Sequence, residues 1–244
     1  MHMRRNFRLS PRLNRKIGQA MHDYSMLDDG DRVMIGVSGG VDSLVLAWVL
    51  KMWQEKAPIR FELTAQVIDH GFWRHHEREV EPAVSIGKQL ERFSIDYTVD
   101  KAWDISEESR TCFQCARNRR SQLFELAKER GVNKIAFGHH KDDLIETFFL
   151  NILYSGNIST MVPRQMLFEG DLSIIRPLSY IEKKELVETS TELELTPVSN
   201  FCPLADDTNR EKVRLLLESL YREEPDVKRS IFAALANVRQ EYLL

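Results

Sequence analysis

The sequence predicts an α/β protein built on a parallel β-sheet, with a helical C-terminal part. Three observations carry this. Short apolar runs recur about every 30 residues with helix-patterned stretches between them, the rhythm of βαβ units. One of these runs, Val33–Val37, passes through a serine-glycine turn directly into an apolar helix. Polar clusters at 38–43, 69–71 and 138–143 each follow such a run. They therefore fall at the carboxyl ends of strands, where open α/β sheets bind ligands.

Taken in order, Pro11 to about Tyr24 has helical spacing (Leu13, Ile17, Ala20, Met21), ended by Asp28-Asp29-Gly30-Asp31. Val33, Met34, Ile35 and Val37 form the apolar run of a central strand, and Ser43 opens a helix bearing Leu44, Leu46, Ala47, Trp48 and Leu50. Phe61–Ile68 alternates apolar and polar residues as a second strand and ends in Asp69-His70-Gly71. Residues 77–93 read as a helix and Tyr97–Val99 as a short third strand. A helix from Phe113 to Arg130 closes on Gly131, and Lys134–Phe137 is a fourth strand. That strand ends in Gly138-His139-His140-Lys141-Asp142-Asp143, with a helix over 142–153. After a loop, Ser173–Ile175 is a fifth strand, stopped by Pro177. Helical patterns follow over 182–193, 207–221 and 226–242. The expected division is a basic N-terminal arm and helix (1–29), a nucleotide-binding domain (30–180) and a helical C-terminal segment (181–244).

The 244 residues are 43% hydrophobic and 29% charged, which is globular composition, and no apolar run is long enough to span a bilayer. The basic start lacks the apolar core of a secretory signal, so the expected location is cytoplasmic. Three cysteines do not suggest a disulfide framework. The net charge of −3 hides an asymmetry: residues 1–16 carry six cationic side chains and no carboxylate, leaving −9 on the remainder. Such an arm either meets nucleic-acid phosphates or is solvated.

Ser38-Gly39-Gly40-Val41-Asp42-Ser43 suits a phosphate. The glycines let backbone N–H groups turn toward an anion, and the helix opened by Ser43 points its positive dipole end into the same turn. It is not the common ATPase loop, which ends in Gly-Lys-Ser/Thr. Asp42 beside a phosphate calls for Mg²⁺ between them. Asp142 and Asp143 either share that duty, hold the nucleoside, or cap the next helix. His139 and His140 read as a base, a phosphate contact or a cap; His75-His76 reads as solvent-facing. Cys112 and Cys115 stand three apart at a helix start, where the dipole favours negative charge. With Cys202 they admit an iron–sulfur cluster, a redox pair, or zinc and structural cysteine. Arg117, Arg119 and Arg120 follow, as partners of thiolates or RNA phosphate, or as a solvated face.

These pieces together resemble the tRNA 2-thiocytidine synthetase family of the PP-loop ATP pyrophosphatase superfamily. The marks are S-G-G-V-D-S at 38–43, C-F-Q-C-A-R-N-R-R at 112–120, G-H-H-K-D-D at 138–143, N-I-L-Y-S-G at 151–156, I-R-P-L-S-Y at 175–180 and N-F-C at 200–202. The resemblance implies a Rossmann-like, adenine nucleotide alpha hydrolase-like fold. It implies ATP and Mg²⁺ held by Val37, Ser38, Gly39, Gly40, Asp42, Ser43, Asp69, Gly138, His139, Asp142 and Asp143. It further implies a [4Fe-4S] cluster on Cys112, Cys115 and Cys202, with Asp42 and the three cysteines catalytic. The implied reaction adenylates a cytidine C2 oxygen in the tRNA anticodon loop and replaces it with sulfur from a cysteine desulfurase or sulfide, with no membrane; a homodimer is compatible. Val41 stands where the family often has lysine, Ser199 where many members have a further cysteine, and the chain is shorter than typical members. The competing readings are a sulfurtransferase or ligase acting on a small molecule, and a redox- or metal-sensing nucleotide binder.

Overall fold

A computed structural model of the chain describes residues 9–71, 81–106, 110–198 and 209–242. By contacts the chain groups into two compact units, Met1–His140 with Pro163–Ala205, and Lys141–Val162 with Asp206–Leu244. No helix among the described residues is long and apolar enough to cross a membrane.

The first unit is a six-stranded sheet. Its strands are β1 (Arg32–Val37), β2 (Glu62–Asp69), β3 (Asp96–Lys101), β4 (Lys134–Ala136), β5 (Arg164–Leu167) and β6 (Leu172–Ile175), in the order β3-β2-β1-β4-β6-β5. All pairs are parallel except β5 with β6. The unbroken apolar run of β1 has its cause here. Val33, Ile35 and Val37 face a core shared with α1 (Pro11–Asp23), α2 (Val41–Lys56), α3 (Pro82–Arg92) and α6 (Lys183–Glu192). Met34 faces the other side, against Ile68, Ile135 and the Leu123–Ala127 stripe of α4 (Cys112–Glu129). A strand covered on both faces has no solvent side to encode.

Within the sheet, two sequence expectations change. The stretch before β6 is not a loop throughout: β5 pairs antiparallel along Arg164↔Ile175 to Leu167↔Leu172. As a four-residue edge strand with Gln165 and Met166 exposed, it has too little apolar pattern to be read. In β2, the polar position Gln66 is buried at 1% exposure. Its Oε1 accepts from the Thr98 hydroxyl (2.6 Å) and Arg130 Nη1 (2.9 Å), and its Nε2 donates to Asp100 (2.9 Å), which satisfies the buried amide.

α1 begins with Pro11 at its first position and Ser10 Oγ accepting from Leu13 N at 3.2 Å. Its Leu13, Ile17, Ala20 and Met21 stripe lies in the sheet's own core, so the helix expected in a separate arm packs with the nucleotide-binding domain. α6 packs there too, through Leu186, so the 181–244 segment divides between the units. The second unit comprises α5 (Lys141–Leu150), a π-helical turn at Asn151–Ser155, α7 (Asn209–Glu223) and α8 (Val227–Ala234). Ile145, Val213 and Leu217 form its core. Beside them Glu146 sits between Arg210 (3.1 Å) and Arg214 (3.4 Å). Burial raises its carboxyl above the ordinary range, and the two guanidiniums oppose that.

One ion pair fixes the start of α6. Glu185 accepts from Lys16 Nζ at 2.8 Å on both oxygens and completes a capping box with Glu182. Burial would raise its carboxyl, but Lys16, the Glu182 N–H and Arg12 hold it below the ordinary range. A depressed carboxylate contributes stability that is present at neutral pH and lost as pH falls through its folded value. Glu185→Gln should therefore cost about 1–2 kcal/mol at pH 7. In urea unfolding that difference should shrink as pH drops below 4.5, the ordinary value for this group.

Candidate nucleotide and thiolate site

The turn after β1 is closed by its own serines. Ser43 Oγ donates to Gly40 O (2.9 Å) and accepts from Ser38 N and Ser38 Oγ (both 3.2 Å), while Ser38 Oγ accepts from Gly40 N (3.4 Å). Gly40 caps α2 without a side chain, so the first N–H groups of that helix keep no protein side-chain acceptor. Gly39 adopts φ +82°, and a Cβ there would come within 2.6 Å of Ile86 Cδ1. Both facts require glycine. Gly39 O accepts from Val198 N at 2.9 Å, tying the segment after α6 to the loop.

β4 lies beside β1, with β2 on the other side, so the strand order reverses at the carboxyl ends of β1 and β4. Gly138 leaves β4 against the backbone of α2: a Cβ there would meet Asp42 C at 2.8 Å and Ser43 N at 3.0 Å. His139 Nδ1 accepts from Arg176 Nε at 3.2 Å. By this hydrogen bond the imidazole carries its proton on Nε2 and presents a donor. His140, not His139, is the histidine beside Asp42: it is buried, with Nε2 3.8 Å from Asp42 Oδ2. Asp69 Oδ1 accepts from Gly71 N at 2.7 Å and closes the turn after β2.

The Asp42 carboxylate meets a lysine that the sequence pattern does not reveal. Lys183 Nζ lies 2.7 Å from Oδ1 and 2.8 Å from Oδ2, with the two side chains 45% and 30% exposed, at the solvent boundary. Both oxygens of the carboxylate face an ammonium and are paired with it. This carboxylate in this arrangement does not fit an Mg²⁺ ligand. The one local signal for Lys183 is a lysine in the first turn of a helix, against the dipole.

Cys112 and Cys115 occupy the first turn of α4, where Thr111 Oγ1 accepts from Gln114 N at 3.1 Å. Spaced three apart, they share a helix face, Cys112 exposed and Cys115 half-buried. Soft thiolates fit an iron–sulfur cluster. Cys202 and Ser199, like His75, His76, Arg4, Arg5 and Arg8, lie outside the described residues. Arg119 is not shut off from solvent, yet its surroundings and Arg120 both lower its pKa, and Cys115 opposes that. Arg176 is 3% exposed; burial, then Arg120, bring it down to about 10. Burial, Arg119 and Arg110 likewise lower His70. Arg120 thus acts on Arg119 and Arg176, and Arg119 and Arg110 act on His70, which gathers cationic groups on this side.

Asp142 and Asp143 open α5 in the second unit. Asp142 Oδ1 lies 2.5 Å from Lys228 Nζ and Asp143 Oδ1 3.6 Å from Arg210 Nη1. Of the basic arm, Lys16 and Arg12 meet Glu185.

Residues 9–217 match the family described as the PP-loop domain. A tRNA-cytidine(32) 2-sulfurtransferase from Citrifermentans bemidjiense is 36% identical over 242 residues, covering 96% of this chain and 92% of its own. The protein of that name from Cupriavidus metallidurans is 37% identical, over 97% of this chain and 76% of its own. Among solved structures, the U34-tRNA thiolase of Methanococcus maripaludis, determined with its [4Fe-4S] cluster, superposes with a TM-score of 0.74. At 22% identity, over 94% of this chain and 79% of that one, it shares the fold. By its matched domain and by relatives more than a third identical along nearly all of its length, the chain belongs to the PP-loop family of the tRNA-cytidine(32) 2-sulfurtransferases.

Proposed function

We propose that the chain thiolates C2 of a cytidine in tRNA, using ATP to activate the base oxygen. The observation that carries this is the 36% identity to a tRNA-cytidine(32) 2-sulfurtransferase across 96% of the chain. A phosphate-type loop at the sheet's switch point supports it.

ATP rests its phosphates on Val37–Ser43 and the first N–H groups of α2, with Asp69 and Gly138 at the neighbouring strand ends. The cytidine C2 oxygen attacks the α-phosphorus. The bond to the α,β-bridging oxygen breaks, and pyrophosphate leaves with the electron pair. The oriented N–H groups, and His139 donating from Nε2, stabilise the charge that builds on the phosphates. Sulfur then attacks C2 as hydrosulfide, the C2–O bond breaks, AMP departs with the oxygen, and the sulfhydryl proton passes to solvent. Cys112, Cys115 and Cys202 would hold the [4Fe-4S] cluster, which would supply an iron to carry the incoming sulfur. The donor is sulfide, or a cysteine desulfurase whose persulfide sulfur is first released as hydrosulfide by two thiols that are oxidised to a disulfide. Arg119 and Arg120 take RNA phosphates, and a cytoplasmic setting goes with a tRNA substrate and reduced thiols. Mg²⁺ travels with ATP phosphates in water, but Asp42, covered by Lys183, does not fit as its ligand.

Protein purified without oxygen is expected to contain iron and acid-labile sulfide in equal amounts, and Cys202→Ala to lose most of both. A colourless, zinc-loaded wild type would remove the cluster from this account. Replacing Arg119 and Arg120 together by alanine should weaken tRNA binding and flatten its salt dependence, by about 0.7 in the log–log slope for each phosphate that is no longer neutralised. An unchanged slope in filter binding across a salt series would take both arginines off the RNA surface.

A further inference from the structure

The nucleotide loop carries one charged residue of its own, and that residue is negative. Between Arg32 and Lys51 the chain holds Asp42 and no lysine or arginine, and Val41 packs against the core. A polyphosphate in this loop would meet backbone N–H groups and a carboxylate, with no lysine or arginine of the loop itself to offset its charge. The offsetting cation comes from another element. Lys183, the first residue of α6, reaches Asp42 with its ammonium 2.7 and 2.8 Å from the two oxygens. The base of this side chain is fixed by the Glu182–Glu185 capping box, by Lys16 on Glu185, and by buried Leu186. Its far end is 45% exposed. A rigid root and a solvent-open tip let the ammonium move a short distance without disturbing the fold.

We propose that Lys183 is the phosphate-binding cation of this nucleotide loop, and that Asp42 positions its ammonium rather than serving as a metal ligand. The proposal rests on the reading of the chain as an ATP-using enzyme. The carboxylate holds the lysine at the mouth of the turn, with His140 Nε2 3.8 Å from Oδ2. When a polyphosphate enters, an ammonium with three donors can bridge the carboxylate and a phosphate oxygen. It then brings to the loop the positive charge that the loop's own residues lack. A nucleotide monophosphate, ending short of this cation, gains little from it.

The test is calorimetric titration with ATP and with AMP, in Mg²⁺ and in EDTA, on wild type, Lys183→Met, Lys183→Arg and Asp42→Asn. Lys183→Met should weaken ATP binding about 10-fold or more and AMP binding by less than about twofold, with thermal unfolding little changed. Lys183→Arg should recover most of the loss. Should Lys183→Met not fold, Lys183→Gln, which keeps a hydrogen-bond donor for Asp42, carries the same expectation. Asp42→Asn should leave the Mg²⁺ concentration for half-maximal ATP binding within about twofold of wild type. Equal losses for ATP and AMP, no loss at all, or an Asp42→Asn protein needing about tenfold more Mg²⁺ would overturn the proposal. A wild type that binds no ATP overturns the enzymatic reading and this one with it. A wild type that binds ATP but ignores Lys183 overturns this one alone.

Discussion

β4 pairs with β1 in parallel, Met34 opposite Ile135, on the edge of β1 that β2 leaves open. The site of the first unit depends on that pairing. It delivers the ends of two strands to one place, one carrying the serine-glycine turn and the other Gly138 and two histidines. The approach is so close that Gly138 has backbone of α2 where a side chain would stand. The pairing is possible because β1 is apolar on both faces and buried on both, between the α2 side and the α4 side of the sheet. Core composition and site geometry are therefore one constraint: a polar residue on either face of β1 would loosen the strand that aims the loop.

Around this backbone frame the charges arrive from distant parts of the chain. Asp42 and Lys183 are 141 positions apart, and Arg176 reaches His139 across 37. α6 contributes to the core through Leu186 and to the loop through Lys183, and α1 steadies its first turn through Lys16 and Glu185. Residues that look peripheral in sequence thus set the position of a side chain at the nucleotide loop.

This explains what is legible in the sequence. The strand–turn–helix at Val33–Leu50, the α1 stripe and the strand-end clusters are local patterns, written in neighbouring residues, and they match the described elements. β5 is not legible because an exposed four-residue edge strand has almost no apolar period. Gln66 breaks the simple alternation of β2 because its buried amide is satisfied by Thr98, Asp100 and Arg130, two of them on the next strand and one after α4. Lys183 escapes a sequence reading for the same reason, since its partner is far along the chain. Asp142 and Asp143 can be read as nucleotide ligands or helix-start acids; their lysine and arginine partners come from α8 and α7, beyond any local window. The histidine that meets Asp42 is the buried second of the pair, while the first meets Arg176, and neither partner is local in sequence.

Desolvation and then the charge of Arg120 lower both Arg119 and Arg176, and Arg119 also feels Cys115. Like charges held this close subtract from stability, and a neutral residue in place of Arg120 would relieve that repulsion. Any anion that settles among them returns what the repulsion removes, and it does so only for the folded chain. For any anion bound among these side chains, occupancy and stability are thereby linked.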